Sequence, residues 1–310
     1  MKTHTSISEF SSPNGTVLTI GTFDGFHIGH QKIVNRVIEV AQTKKLDSIV
    51  LTFFPHPRMV LQKESTIKLI HTIDERIKIL SNTNLTHLIV QQFTKNFSRL
   101  TAAEFVQDVL VKQLNIKHII IGYDHRFGKN RTATIADLKQ FGKQFGFEVE
   151  EISAQEIQEV SVSSTKIRNA ILEGNLQIAN QYLGIPFQLN GKVVKGKGIG
   201  KTINYPTANI QIAEDYKIIP KNGVYIATAK VLGKTVNGMM NIGTNPTVNG
   251  NKRTIEINLF NFNTDIYNQK IEVTVLKRMR DEQKFKSVTE LQQQLQQDKQ
   301  QALTYFENYK

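Results

Sequence analysis

Cysteine is absent from all 310 residues of the sequence. A disulfide scaffold and any chemistry that needs a thiol are therefore excluded, and so is a zinc centre built on thiolates. A chain without cysteine also fits a reducing compartment, so we expect the protein to be cytoplasmic.

Long apolar runs are absent as well, and none approaches the length of a transmembrane helix. The first ten residues contain no apolar segment of the kind found in signal peptides. Hydrophobic residues nevertheless make up 39% of the chain, which is enough for buried cores and argues against wholesale disorder. We therefore expect folded domains and no association with a membrane.

Blocks of consecutive lysine or arginine are missing too, although the formal net charge is +12. Positive charge that is spread along a chain is typical of a solvated surface, and it also attracts polyphosphate ligands. A basic RNA-binding protein is the alternative, and it predicts an affinity for RNA that falls steeply with salt. Few aromatic residues lie among the basic ones, so we expect small anionic ligands rather than nucleic acid as partners.

The most specific feature that is present is the glycine-rich segment Gly21–His30. Before it, Val17–Ile20 predicts a buried strand, and after Gly29 a helical apolar stripe begins. Glycine lets the backbone turn tightly, and the first turn of a helix offers free N–H groups that bind phosphate. His27 and His30 at this junction are placed to donate hydrogen bonds to phosphoryl oxygens. The segment therefore predicts a nucleotide-phosphate site.

The two histidines have other interpretations. A His-x-x-His pair is often incidental, and histidine is also a common zinc ligand. No third ligand stands at a usual zinc spacing, however, and the order of strand, turn, histidines and helix is more specific than two histidines alone. We therefore prefer the phosphate site.

Strand and helix patterns alternate up to Ile152, which predicts a parallel sheet with helices on both faces. In such sheets ligands bind at the carboxyl ends of the strands. Three polar loops follow predicted strands there: Gly21–His30, Pro55–Arg58 and Gly122–Gly128. A fourth polar segment, Ser163–Arg168, begins a helix, where its hydroxyls suit a cap and its basic residues suit phosphate.

The pattern changes near Gly184, after which alternation with a period of two predicts five strands with short connections. Consecutive strands of this kind indicate an antiparallel barrel or sandwich, of which we favour the barrel. Only the end predicts a helix, with a capping box at Ser287–Glu290 and this apolar face: Val288, Leu291, Leu295, Ala302 and Phe306. We therefore expect a doubly wound α/β domain at residues 1–184, which the resemblance described below implies is a nucleotidyltransferase domain, and a β-barrel with a terminal helix at residues 185–310.

The segment Lys195–Thr202 is close to a P-loop but differs from it in two respects. Its first position is Lys195 where a P-loop needs glycine, and Pro206 prevents a regular helix from following. We interpret the segment as a cationic, glycine-rich flap. On extended backbone just after it, the Thr207 hydroxyl and the Asn209 amide carbonyl point the same way and suit Mg²⁺ beside phosphate oxygens.

A general base is expected on one of the later strands. In Thr254–Phe260 the alternation places Glu256 on the face opposite three apolar residues. Glu272 has a similar position in the next strand. A carboxylate on such a face is suited to general-base catalysis, and the pattern alone does not choose between the two.

Together these motifs resemble those of the bacterial bifunctional riboflavin kinase/FAD synthetase family, along nearly the whole chain. The first half is similar to the FMN adenylyltransferase module at Gly21–His30, Gly122–Gly128 and Ser163–Arg168. The second half is similar to the riboflavin kinase module at Gly196–Gly200, Pro206–Asn209, Asn222–Tyr225, Asn241–Thr247, Glu256–Phe260 and Arg280–Phe285. Two independent sets of motifs in the family's order make the resemblance specific.

The resemblance implies two reactions that use ATP. Riboflavin and ATP give FMN and ADP, and FMN and ATP give FAD and pyrophosphate. It also implies that riboflavin, FMN and ATP are the substrates and that Mg²⁺ or another divalent cation accompanies ATP. The alternative is another His-x-Gly-His nucleotidyltransferase joined to an inactive flavin-binding barrel.

For the adenylyltransferase half, the resemblance implies that His27 and His30 contact the ATP phosphates in a catalytic role. The implied ATP and phosphate contacts along the whole chain are Gly21, Asp24, Gly29, Asp124, Ser164, Thr165, Arg168, Gly198, Gly200 and Lys201.

For the kinase half, the resemblance implies that Glu256 takes the proton from the ribityl hydroxyl, which decides against Glu272. Thr207 and Asn209 are then the ligands of Mg²⁺ and ATP, and Arg280 lies near the flavin. The chain departs from the family's common pattern at His125, Lys201, Asn204, Tyr205, Asn261, Asn263 and Asn268. None of these departures falls on an expected catalytic position.

Overall fold

The computed structural model describes residues 1–62, 66–153, 162–196, 198–247 and 250–308. The chain forms two compact units, Met1–Ser164 and Thr165–Lys310. The first is an α/β unit and the second a β-barrel with a terminal helix, so the predicted fold class is confirmed.

The first unit is built on six strands. They are β1 (Lys2–His4), β2 (Thr16–Ile20), β3 (Asp47–Phe54), β4 (His87–Gln92), β5 (Ile116–Gly122) and β6 (Glu148–Ile152). All neighbours are parallel, in the order β1-β4-β3-β2-β5-β6. The short edge strand β1 was not predicted, because three residues are too few to show a periodic pattern.

Helices connect these strands. They are α1 (Ile28–Lys44), α2 (Pro57–Leu61), α3 (Ile73–Ser81), α4 (Ala102–Glu104) and α5 (Ile135–Phe145). The α4 helix continues directly into a π-helix, Phe105–Gln113, where the sequence predicts regular α-helix. The wider turns keep Phe105, Val106, Val109 and Leu110 buried, so the apolar face survives the change of helix type.

Helices cover both faces of the sheet. Successive residues of a strand face opposite sides, so a strand that is apolar throughout packs against a helix on each side. Leu18 of β2 belongs to the same core cluster as Val106 of the π-helix. Its neighbour Val17 packs with Val37 of α1 in a different cluster. The doubly wound architecture that alternation predicts is therefore present.

The second unit is built on six further strands. They are β7 (Phe187–Val194), β8 (Ala208–Gln211), β9 (Gly223–Val231), β10 (Lys234–Thr247), β11 (Gly250–Leu259) and β12 (Lys270–Arg280). Antiparallel pairing closes them into a barrel in the order β10-β11-β8-β7-β12-β9. The helices are α6 (Ser164–Glu173), α7 (Leu176–Leu183), α8 (Ile199–Thr202) and α9 (Val288–Asn308).

Alternation along the barrel strands separates an inner face from an outer one. Met239 of β10 packs with Ala302 of α9, so its side of the strand is the outer face. Met239 pairs with Asn258 of β11, which places Asn258 and, two residues earlier, Glu256 on that outer face. The intervening Ile257 is completely buried on the inner face.

The terminal helix follows the sequence prediction with one correction. Ala302 is buried, and Leu295 and Phe306 pack against the same cluster. Val288, which was expected on the apolar face, is 59% exposed, since it opens the helix before the first turn that reaches the barrel.

The two units divide at Ser164 and Thr165, earlier than the predicted boundary at residue 184. Helices α6 and α7 pack within the second unit, which explains the difference. The Asn180 Nδ2 donates to the Val275 carbonyl at 3.0 Å, and the Lys221 N–H donates to the Ile171 carbonyl at 3.3 Å.

Candidate functional site

The first candidate site lies in the turn between β2 and α1. Three residues with positive φ reverse the chain here, with φ of 48° at Phe23, 88° at Gly25 and 30° at Phe26. His27 is the N-cap of α1, and its Nδ1 accepts a 3.3 Å hydrogen bond from the His30 N–H. The strand–turn–helix junction therefore forms where the sequence predicts it.

The two histidines are stacked on each other. Their ring centroids are 3.7 Å apart with an angle of 17° between the planes, and the edge of Phe23 packs on His30 at 5.0 Å. Burial lowers the pKa of His27 to about 4, partly offset by Asp24 and Asp124. Burial is the main reason why the pKa of His30 lies well below its ordinary value, and the charge of His27 lowers it further. Both rings are thus neutral near pH 7 and act there as hydrogen-bond groups.

Asp24 lies in the interior of the turn. Its carboxylate is completely buried and accepts hydrogen bonds from the backbone N–H groups of Ile70, at 2.9 Å, and His71, at 3.0 Å. The carboxylate thereby holds residues 70 and 71 against the turn, and its contact with ATP stays a prediction.

One of the two expected glycines of this junction has a steric role. A Cβ on Gly21 would lie 3.1 Å from the Phe23 ring, so a side chain there would press on the residue that packs against His30. Gly29 is buried in the first turn of α1.

Two other predicted segments meet this turn. Asp124, in the loop after β5, is exposed, and its charge acts on His27. The Ser164 hydroxyl donates a 2.8 Å hydrogen bond to the Asp24 carbonyl. Thr165 is exposed and Arg168 half-buried in the first turns of α6.

The second candidate site lies on β8 and β11 of the barrel. Glu256 pairs directly with Asn209, and the Thr207 hydroxyl donates a 2.9 Å hydrogen bond to Glu256 Oε2. Glu256 is half-buried on the outer face and is not sealed in the apolar interior. The structure thus gathers the three residues that the sequence assigns to base and metal binding.

The register of the barrel separates the two candidate bases. Glu256 pairs with Asn241, which pairs with Val224 at the start of β9. Glu272 instead pairs with Lys230, near the end of β9. On the other side of the barrel, Glu272 pairs with Asn190 of β7, four residues from the Val194 that pairs with Asn209. Four residues along a strand correspond to roughly 13 Å, so Glu272 lies apart from Thr207 and Asn209.

The glycines of the flap explain its close approach to this site. A Cβ on Gly196 would lie 2.0 Å from Asn209 Nδ2, and one on Gly200 would lie 2.2 Å from the Tyr205 carbonyl. Gly198 has φ +75° with open space around it. Lys201 is exposed on α8, and Lys197 lies outside the described residues.

Arg280 is paired with the terminal helix. Its Nε and Nη2 donate to the carboxylate of Asp298 at 2.9 and 2.6 Å, and its Nη1 donates to the Asp281 carbonyl at 3.0 Å. Asp298 is 1% exposed. This bidentate ion pair fixes α9 on the barrel, and the contact of Arg280 with a flavin stays a prediction.

The sequence analysis assigns no individual role to two groups of polar residues, although the first group lies within motifs that it names. One joins the ends of β9, β10 and β12, where Asn222 Nδ2 donates to Thr244 Oγ1 at 2.8 Å and to Glu282 Oε2 at 3.2 Å. The other centres on Arg76, which is 1% exposed on α3. A signal for the second was available, because Arg76 interrupts the apolar stripe formed with Ile73, Ile77 and Leu80.

Within the described residues, no helix has the length and apolar composition needed to cross a membrane. No group of three or more histidine, aspartate or glutamate side chains in those ranges is arranged to hold a metal.

Comparison with known proteins covers both units. Residues 9–166 match the family model for FAD synthetase, and residues 183–306 match the model for riboflavin kinase. The bifunctional riboflavin kinase/FMN adenylyltransferase of Buchnera aphidicola subsp. Acyrthosiphon pisum (strain APS) is 37% identical over 296 residues, which are 94% of this chain and 93% of the relative. The protein of the same description from Bacillus subtilis (strain 168) is 36% identical over 299 residues, 94% of this chain and 93% of the relative.

A solved structure is also similar along the chain. The crystal structure described as a macrolide-efflux protein from Streptococcus pneumoniae has a TM-score of 0.88 and 34% sequence identity, and covers 96% of this chain and 97% of that one. Both family models and the curated relatives name the two flavin reactions. The chain therefore belongs to the family of bifunctional riboflavin kinases/FMN adenylyltransferases.

Proposed function

We propose that the two reactions of this family take place at two separate sites of this chain. Adenylyl transfer from ATP to FMN takes place at the turn between β2 and α1. Phosphoryl transfer from ATP to riboflavin takes place beside β8 and β11. The observation that carries the first assignment is the neutral, stacked pair of His27 and His30 at the amino end of α1.

In the adenylyl transfer, an oxygen of the FMN phosphate attacks the α-phosphorus of ATP and pyrophosphate leaves. Negative charge builds up on the α-phosphoryl oxygens and on the leaving group. Neutral imidazoles of His27 and His30 donate hydrogen bonds to these oxygens, and the free N–H groups of the first turn of α1 add to them. Ser164 and Asp124 would hold the remainder of the nucleotide, and the phosphate contacts of Thr165 and Arg168 stay predictions from the sequence.

In the phosphoryl transfer, the terminal ribityl hydroxyl of riboflavin attacks the γ-phosphorus of ATP. Glu256 accepts the proton of that hydroxyl, and ADP leaves. The hydrogen bond from Thr207 supports this role, because it holds the Glu256 carboxylate in one orientation. Gly198, Gly200 and Lys201 of the flap would cover the phosphates.

The residues beside Glu256 suit a divalent cation. The Thr207 hydroxyl and the Asn209 amide carbonyl are hard oxygen ligands on neighbouring positions of one strand edge, as Mg²⁺ prefers. When bound with ATP, Mg²⁺ neutralises charge on the phosphates. Thr207 and Asn209 orient the nucleotide next to the base that takes the proton.

We place both reactions in the cytoplasm, with residues 1–184 and 185–310 as the two functional modules. Riboflavin, FMN and ATP are the proposed partners, and nucleic acid is not among them.

The experiment is to incubate the protein with riboflavin, ATP and Mg²⁺ and to separate the flavins by chromatography. Accumulation of FMN followed by FAD supports the proposal.

The alternative is a nucleotidyltransferase for another acceptor joined to an inactive barrel. Offering riboflavin, FMN, pantetheine phosphate and nicotinamide mononucleotide separately with ATP distinguishes it. Turnover of pantetheine phosphate or nicotinamide mononucleotide without any turnover of riboflavin would favour the alternative.

A further inference from the structure

Arg76 is a charged side chain that the first unit buries almost completely, at 1% exposure. Removing a guanidinium from water is costly, and the fold retains it in the apolar stripe of α3. The start of that helix is rigid: the Glu75 N–H donates to Thr72 Oγ1 at 3.1 Å, and the Thr72 N–H donates to Glu75 Oε2 at 2.9 Å. Arg76 is therefore held by an element whose first turn is fully capped.

A chain of hydrogen bonds connects Arg76 to the histidine turn. Its Nη1 donates to Thr52 Oγ1 at 3.2 Å, and Thr52 Oγ1 donates to the Thr22 carbonyl at 3.1 Å. Thr52 is completely buried in β3, and Thr22 belongs to the turn before His27. The conformation of that turn is thus tied to α3 through β3.

The positive charge of Arg76 also acts on His30. Burial lowers the pKa of His30 most, and the charges of His27, Arg76 and His71 lower it further. Among the described residues, His30 Nδ1 is a buried atom without a hydrogen-bond partner. Asp24 and Asp124 act in the opposite sense on His27.

We propose that Arg76 is a positioning residue for the adenylyl transfer, which fixes the 21–27 turn through Thr52 and presents a permanent positive charge to His30. The inference rests on the proposed function of His27 and His30. Arg76 does not touch substrate. It sets the position of the turn that carries the imidazoles, and its charge helps to keep His30 neutral where phosphate binds.

Three variants separate its charge from its hydrogen bond. Arg76→Gln keeps a donor and removes the charge, and Arg76→Lys keeps the charge and removes the planar fork. Thr52→Val keeps the charge of Arg76 and removes both hydrogen bonds of the link, from Arg76 and to Thr22. The exposed Arg99→Gln is the matched control. Rates of FAD formation from FMN and ATP are measured from pH 4.5 to 9, with riboflavin phosphorylation as a second readout in the same proteins.

We expect Arg76→Gln to lower kcat for FAD formation about 10²-fold and Thr52→Val about tenfold, with KM for ATP changing less than about threefold. Arg76→Lys recovers part of the loss. The acid limb of the rate profile moves to higher pH in Arg76→Gln, because one positive charge near His30 is gone, and stays in place in Thr52→Val. Riboflavin phosphorylation is unchanged in all of them.

The proposal is overturned if Arg76→Gln and Thr52→Val keep kcat within twofold of the parent. It is also overturned if kcat falls while the acid limb stays in place and Arg76→Lys brings no recovery, since that is a structural effect alone. If Arg76→Gln fails to fold, Thr52→Val decides the matter by its kcat. A parallel His30→Ala protein separates the two proposals, because full FAD formation in it would overturn the histidine site itself.

Discussion

The Thr207 hydroxyl donates a hydrogen bond of 2.9 Å to Oε2 of Glu256. The two residues are far apart in sequence, and the antiparallel pairing of β8 with β11 brings them together. A carboxylate fixed in this way is ready to accept a proton from a hydroxyl held next to the cation ligands. This hydrogen bond therefore connects the proposed base, Glu256, with the proposed nucleotide site at Thr207 in the kinase half.

Replacing Glu256 tests that role. We expect Glu256→Gln to lower the rate of FMN formation from riboflavin by about 10²–10⁴-fold, because the amide does not accept the proton. FAD formation from added FMN is unaffected. Glu272→Gln, at the other end of the strand register, is the control and keeps both rates. Equal loss in the two variants would contradict the assignment of the base.

Replacing His30 tests the other site. His30→Ala should lower FAD formation from FMN by about 10²–10³-fold, since one donor to the developing charge is lost. FMN formation from riboflavin should stay at the parent rate. His118→Gln removes a buried histidine of β5 that lies outside the turn, beside Glu148 of β6, and serves as control. An unchanged FAD rate in His30→Ala would show that the turn does not carry the reaction.

The burial of His27 makes the first unit sensitive to acid. Its folded-state pKa is about 4, against 6.5 ordinarily, so between these values the unfolded chain binds a proton that the folded chain does not. The contribution of neutral His27 to the unfolding free energy is therefore fully present above pH 6.5 and is lost as the pH falls to about 4. The unfolding free energy falls by about 3 kcal/mol over that range. Urea unfolding of the parent and of His27→Asn at several pH values measures it. A slope as steep in His27→Asn as in the parent would assign the effect to other groups.

The pair of Arg280 and Asp298 predicts a stability effect in the barrel. Asp298→Asn leaves a mostly buried guanidinium without its charge partner, and we expect a loss of about 3–5 kcal/mol in the unfolding free energy. Asp108→Asn breaks the exposed pair with Lys112 and should cost less than about 1 kcal/mol. Thermal unfolding of both variants compares them. Similar melting temperatures would mean that Arg280 does not anchor α9.

Much of the fold follows from local sequence. The buried strands and the stripe of α1 show their periods clearly, and the Thr72–Glu75 capping box marks the start of α3 correctly. The strand β1 gives no periodic signal because it has three residues. The π-helix is missed because its buried positions are the same ones that an α-helix would bury at this length.

The candidate site residues differ in how far local sequence locates them. His27 and Thr207 belong to short contiguous motifs with their own chemistry, so the sequence points to them directly. The hydrogen-bond partners of Asp24 and Arg280, which are the backbone of residues 70–71 and Asp298, come from distant segments that no local pattern connects. The link from Arg76 to Thr52 also joins two elements, so it could not be predicted, although Arg76 itself interrupts the apolar stripe of its helix.

The most direct test of two separate sites is to mix the two defective proteins. Neither Glu256→Gln nor His30→Ala alone should convert riboflavin with ATP and Mg²⁺ into FAD. Mixed in equal amounts, His30→Ala releases FMN and Glu256→Gln adenylylates it, so FAD should accumulate after a lag at a rate set by the intact sites. A mixture that forms FMN and no FAD, while Glu256→Gln also fails on added FMN, would contradict the account.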